Sequence, residues 1–129
     1  MDLDSWTAEY ACAGPPSPML CRHGRSFPLT ERCGWTLGYP FDDVTFDRER
    51  IDVAHGDVFL LYSDGLSDAA RGRDPEVDTQ GAGMLADILT AACSGRKKGI
   101  ADTIFSSVAQ LLNGRAFEDD ATALIVAVQ

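Results

Sequence analysis

Two segments of this 129-residue chain join carboxylates to apolar runs in opposite order: Val58-Phe59-Leu60-Leu61-Tyr62-Ser63-Asp64-Gly65 and Asp119-Asp120-Ala121-Thr122-Ala123-Leu124-Ile125-Val126. If both apolar runs are strands and pair antiparallel, Asp64 leaves one strand where Asp119 enters the other, and two distant carboxylates meet at one sheet edge. Side chains alternate along an extended chain, so only one of Asp119 and Asp120 faces the same site as Asp64. Such groups are hard oxygen ligands suited to Mg²⁺ or Mn²⁺, ions that keep several waters. A water whose pKa the ion lowers is a nucleophile for a phosphate ester. The competing reading is that Asp64 caps a turn and Asp119 ends a loop, since Asp is common in both places. A calcium loop starting at Asp64 fails, because its third and twelfth positions would be Leu66 and Pro75, where oxygen ligands are required.

Apolar strands are needed to hold these groups. Val58 to Tyr62 is unbroken in its apolar character, which predicts a strand covered on both faces, and Ala123 to Val128 predicts another central strand. Arg50 to Ala54 alternates polar and apolar residues like a half-buried strand, and His55-Gly56-Asp57 turns the chain from it into Val58. Upstream, Trp6 to Cys12 reads as a strand stopped by Gly14-Pro15-Pro16-Ser17-Pro18. Met19 to Arg22 and Ser26 to Leu29 flank His23-Gly24-Arg25 as a hairpin. Gly34 to Pro40 reads as loop, and Leu66 to Thr79 as a short helical turn followed by a surface loop.

Two helices precede the closing strand. Met84, Leu85, Ile88, Leu89 and Ala92 share one face of the first; Ile100, Ile104, Phe105, Val108, Leu111 and Leu112 share one face of the second. Asn113-Gly114 ends the second helix as a C-terminal cap. The basic triplet Arg96-Lys97-Lys98 between them reads as a solvated loop placing cations near a helix C-terminus. Strands, then helices, then one closing strand predict an α+β fold with antiparallel sheets in a single domain.

Composition narrows the function. The chain is 45% hydrophobic, enough for a real core, and its formal charge of −9 opposes binding to nucleic acid or an anionic membrane. Acidic proteins still act on phosphate when bound cations invert the local field. No apolar run reaches the roughly 18 to 20 residues of a membrane span, so no direct membrane insertion and a cytoplasmic location are expected. Cys12, Cys21, Cys33 and Cys93 show no zinc spacing and are expected to be reduced, mostly buried small hydrophobes.

Gly56-Asp57, the apolar run and Tyr62-Ser63-Asp64-Gly65-Leu66-Ser67-Asp68 resemble the signature of metal-dependent PPM protein serine/threonine phosphatases of the SpoIIE branch. Asp119-Asp120-Ala121-Thr122 resembles that family's closing Asp-Asp-x-Thr strand. Tyr10-Ala11-Cys12-Ala13-Gly14-Pro15-Pro16 is similar to its Tyr-Ala-Asn-Ala-Gly-His-Pro pattern, with Pro15 in place of His, and Leu37-Gly38 to its Pro-Leu-Gly segment.

The resemblance implies a β-sandwich flanked by helices. It also implies a centre of two Mn²⁺ or Mg²⁺ ions, whose bound hydroxide hydrolyses phosphoserine or phosphothreonine by in-line attack. It assigns Asp64 and Asp119 as catalytic metal ligands, leaves Asp120 without a ligand role, and makes Asp68 an orienting or helix-capping group. Its substrate would be a phosphorylated bacterial regulatory protein, such as an anti-sigma factor antagonist. The family's earlier Gly-Gly-Asp motif does not occur in this sequence, and Gly56-Asp57 stands at a different place. The chain is therefore expected to be the C-terminal part of an N-terminally incomplete domain, a partial PPM-type β-sandwich with weak or no phosphatase activity alone. The alternative is a non-catalytic phosphatase-like module that binds a protein partner.

Overall fold

The computed structural model describes residues 1–2, 4–31, 33–38, 40, 44–71, 80–95 and 99–129. The charged stretch 72–79 and the basic triplet Arg96-Lys97-Lys98 lie outside the described residues. The elements run β1 (Thr7–Tyr10), β2 (Met19–Arg22), β3 (Arg25–Pro28), β4 (Glu49–Asp52), β5 (Val58–Tyr62), α1 (Asp64–Arg71), α2 (Gln80–Ser94), α3 (Ile100–Leu112) and β6 (Ala123–Ala127). This is the expected α+β architecture. The stretch after β5 forms a full two-turn helix, α1, which begins on Asp64 itself.

The strands form a two-stranded sheet, β1-β4, and a four-stranded sheet ordered β3-β2-β5-β6, with all named pairings antiparallel. The β2–β3 hairpin closes through His23 and Gly24, at φ 51° and 73°. Two successive left-handed residues match the right-handed strand twist, and glycine takes the second without steric cost.

The alternation along β2 and β5 divides the core in two. Met19, Cys21, Val58 and Leu60 point to the helical side, where they meet Leu66, Leu85, Leu89, Ile104, Val108 and Leu112. Leu20 and Phe59 point the other way and pack with Ala8, Val53 and Val128 beneath β1 and β4. The result is a helix layer, a four-stranded sheet and a smaller sheet on its far face. In α3, Ile100, Ile104, Val108 and Leu112 form the buried stripe, and left-handed Asn113 caps the helix end as the sequence indicated. Met84 and Leu111, expected on the apolar faces, are instead partly exposed.

Two expectations need correction. β6 lies at the edge of its sheet rather than at its centre. Leu61 and Leu124, directly paired across β5 and β6, are 41% and 56% exposed, so neither strand is covered on both faces along its whole length. An unbroken apolar run signals burial of most of its residues but does not say how many neighbouring strands it has. The cysteines also divide: Cys12 and Cys33 form a disulfide with Cα atoms 4.9 Å apart, within the normal bridging range. Their separation of 21 residues carries no pairing signal, and only the approach of the 12–14 and 33–34 segments brings them together. Cys21 is buried as expected, and Cys93 packs against the core.

Candidate metal-binding edge

The β5–β6 register pairs Val58 with Ala127 and Tyr62 with Ala123, so the C-terminal end of β5 lies against the start of β6. Beyond these ends the chains stay joined. The Ser63 N–H donates to the Thr122 carbonyl (3.1 Å). The Ser63 hydroxyl donates to the Asp120 carbonyl (3.0 Å) and accepts from the Thr122 N–H (2.9 Å). Ser63 thus clamps the segment that carries the second acidic cluster.

Gly65 completes the junction. A β-carbon there would lie 2.5 Å from the Asp120 carbonyl oxygen and 3.2 Å from that of Asp119. No side chain fits at this position, which explains the glycine by close approach of backbone rather than by an unusual torsion. Asp64 is rooted on one side of this contact and Asp119 on the other. Both carboxylates are exposed, while Gly65 and Leu66, immediately after Asp64, are buried and anchor the start of α1.

Local hydrogen bonds orient the acidic turns. Asp64 Oδ1 accepts from the Gly65 N–H (2.9 Å), and Asp119 Oδ1 accepts from the Asp120 N–H (2.7 Å). A carboxylate in the first turn of α1 also lies favourably in the helix dipole. Asp64 thus accepts from the N–H of the next residue and not from one two or three positions on, as a helix cap would, and among the described residues its second carboxylate oxygen accepts no hydrogen bond. Phe117 packs on Phe105 of α3 with ring centroids 6.2 Å apart, holding the approach to Asp119 against the helix layer.

A cleft of about 100 Å³ opens beside this edge, lined by Gly65, Asp68, Ala69, Leu112, Arg115, Glu118 and Asp119. Asp119 lines it directly, whereas Asp64 adjoins it through Gly65. Asp68 faces the cleft and also pairs with Arg71 at 3.3 Å along α1. Sequence reasoning missed the bridging role of Ser63 and the presence of Arg115 in the cleft. The first could have been suspected from a hydroxyl immediately after a strand; the second carried no signal beyond nearness to Asp119.

The donor set suits a hard divalent ion, since Mg²⁺ and Mn²⁺ are commonly held by one or two carboxylates with water completing the sphere. Among the described residues no group of three or more His, Cys, Asp or Glu side chains could hold a metal ion. These residues therefore fit part of one ion's coordination sphere and do not assemble the two-ion centre implied by the resemblance.

The layered fold and the acidic junction define the PPM, or PP2C-like, phosphatase domain class. The family model for stage II sporulation protein E (SpoIIE) matches residues 1–129, and the chain belongs to that family. The RsbU and RsbW domains of a Mycobacterium tuberculosis protein superpose with a TM-score of 0.72 at 26% identity, over 97% of this chain and 33% of that one. The PP2C phosphatase domain and a regulatory-domain fragment of the cell-fate determinant SpoIIE from Bacillus subtilis give a TM-score of 0.72 at 17% identity, over 99% of this chain and 36% of that one. PppA, a regulatory component of the T6SS in Pseudomonas aeruginosa, gives 0.63 at 21% identity, over 95% and 53%. The chain thus spans between a third and just over half of these solved structures. No curated protein matches it. Among the described residues no helix is long and apolar enough to cross a membrane.

Proposed function

We propose that this chain supplies the Asp64 and Asp119 limb of a metal-dependent phosphatase site that hydrolyses phosphoserine or phosphothreonine in a bacterial regulatory protein. The observation that carries the reading is the β5–β6 junction, where Ser63 and Gly65 lock the roots of the two acidic turns together. Asp64 and Asp119 would hold Mn²⁺ or Mg²⁺, which supplies a water of lowered pKa and offsets charge on the phosphoryl group. The two carboxylates do the binding, while Ser63, Gly65 and the buried start of α1 fix their spacing, so that little reorganisation accompanies ligation. Kinship with SpoIIE and RsbU supports a phosphorylated regulator, such as an anti-sigma factor antagonist, as substrate, and a cytoplasmic setting suits that role.

The test is Mn²⁺-dependent hydrolysis of a small aryl phosphate by the chain, compared with Asp64→Ala and Asp119→Ala. The chain's metal-dependent rate, low because this is one limb of the site, is expected to be lost in both variants; an equal Mn²⁺-dependent rate above background in all three proteins overturns the assignment. A second reading, a non-catalytic module that binds a protein partner, is favoured by the small number of carboxylates gathered among the described residues. It predicts binding of the phosphorylated regulator with no phosphate release at any Mn²⁺ concentration.

A further inference from the structure

We infer that Arg115 is the phosphoryl-binding cation of this site, taking the substrate's phosphate oxygens in the cleft beside Asp119. This rests on the phosphatase reading above and adds a substrate-contacting residue to it. Among the described residues the cleft is lined by three acidic side chains, Asp68, Glu118 and Asp119, and by one cation, Arg115. A phosphate dianion entering it meets repulsion from the carboxylates, which a guanidinium on the wall offsets. Arginine suits the task because its planar fork can donate two parallel hydrogen bonds to phosphate.

The arginine is held as a binding group should be. Asn113 and Gly114, at φ 50° and 83°, end α3 in the left-handed region and redirect the chain. The Arg115 N–H and its Nε–H then both donate to the Leu112 carbonyl, at 3.1 and 3.0 Å. The side chain is thereby anchored through Nε, which leaves its two terminal nitrogens for a ligand. Among the described residues Arg115 forms no ion pair, although three carboxylates line the same cleft. Arg71, by contrast, is committed to Asp68. Anchoring the stem before binding also reduces the side-chain entropy lost when phosphate is captured.

Capping of α3 alone is the structural alternative, and the test separates the two. Inorganic phosphate is titrated calorimetrically into the 129-residue chain in Mg²⁺, and into its Arg115→Ala, Arg115→Lys and Val108→Ala variants. Affinity is expected to fall about tenfold in Arg115→Ala and less in Arg115→Lys, which keeps the charge but loses the fork. Val108→Ala loosens the buried face of α3 without touching the cleft or the turn that carries Arg115, so it should lower the thermal midpoint and leave phosphate affinity unchanged. Unaltered affinity in Arg115→Ala, equal weakening in Val108→Ala, or no phosphate binding by the unsubstituted chain overturns the inference. The phosphatase reading fails separately, when phosphate binding depends on Arg115 but Asp64→Asn and Asp119→Asn leave Mn²⁺ binding unchanged.

Discussion

The main-chain carbonyl oxygen of Asp120 lies 2.5 Å from the point where a β-carbon on Gly65 would stand. Gly65→Ala must therefore push the start of α1 away from the 119–120 turn, and both partners are backbone, which yields less readily than a side chain. The substitution should cost about 1–3 kcal/mol, as overpacking of a close contact does. Urea denaturation reads the stability loss, and Mn²⁺-dependent hydrolysis should fall with it because the two acidic turns separate. A variant as stable and as active as the unsubstituted chain would show that the junction is slack.

Ser63 makes the complementary attachment, with one hydroxyl joining the Asp120 carbonyl and the Thr122 N–H. Ser63→Ala removes both bonds and should destabilise the chain by about 1–2 kcal/mol. Ser63→Thr keeps the hydroxyl and should retain most of the stability. Equal melting temperatures for the alanine and threonine variants would contradict a bridging role.

The sequence made the acidic edge legible because each element there carries its own local signal. An apolar run marked β5, the Asp-Gly step marked its end, and the mirrored order of the second cluster implied antiparallel pairing. Helix periodicity found α2 and α3, and Asn113-Gly114 found the end of α3. What stayed hidden depends on three-dimensional neighbours. The edge position of β6 follows from which strands pair, and the exposed Leu61–Leu124 pair follows from how far the smaller sheet extends over the larger. The Cys12–Cys33 bridge needs the 12–14 and 33–34 segments to meet, which no residue spacing encodes. Arg115 stands four residues before Asp119, yet only the left-handed turn after α3 brings it to the cleft wall.

Away from the acidic edge, Asp57 is 1% exposed and receives Arg22 Nε at 2.9 Å and the Ala54 N–H at 2.8 Å. Burial alone would raise its carboxyl pKa; the Arg22 hydrogen bond, the Ala54 N–H and the nearby positive charges outweigh burial and hold it below the usual carboxylate value. A depressed folded-state pKa stabilises the protein above the unfolded value of about 3.9, and that contribution disappears as pH falls through the lower folded value. Asp57→Asn should cost about 2–4 kcal/mol at neutral pH by leaving Arg22 without its charged partner. Its unfolding free energy should also decline less than that of the unsubstituted chain below pH 4. Parallel pH profiles in denaturant titrations would assign the acid sensitivity to other carboxylates.

Metal binding can be tested without any turnover. An ion that binds only the folded chain stabilises it by about 2.7 kcal/mol at a hundredfold excess over its dissociation constant. Mn²⁺ should therefore raise the melting temperature, and a chelator should reverse the rise. Asp64→Asn and Asp119→Asn each remove one anionic ligand while keeping side-chain size, so each should abolish most of the increment. Asp120→Asn is the discriminating control. Asp119 lines the cleft beside Gly65 and Asp120 does not, although both border the neighbouring hollow with Phe117 and Ala121, so this variant should keep the Mn²⁺ response. An equal loss in all three variants would mean that diffuse negative charge, rather than a defined pair of ligands at the β5–β6 junction, attracts the ion.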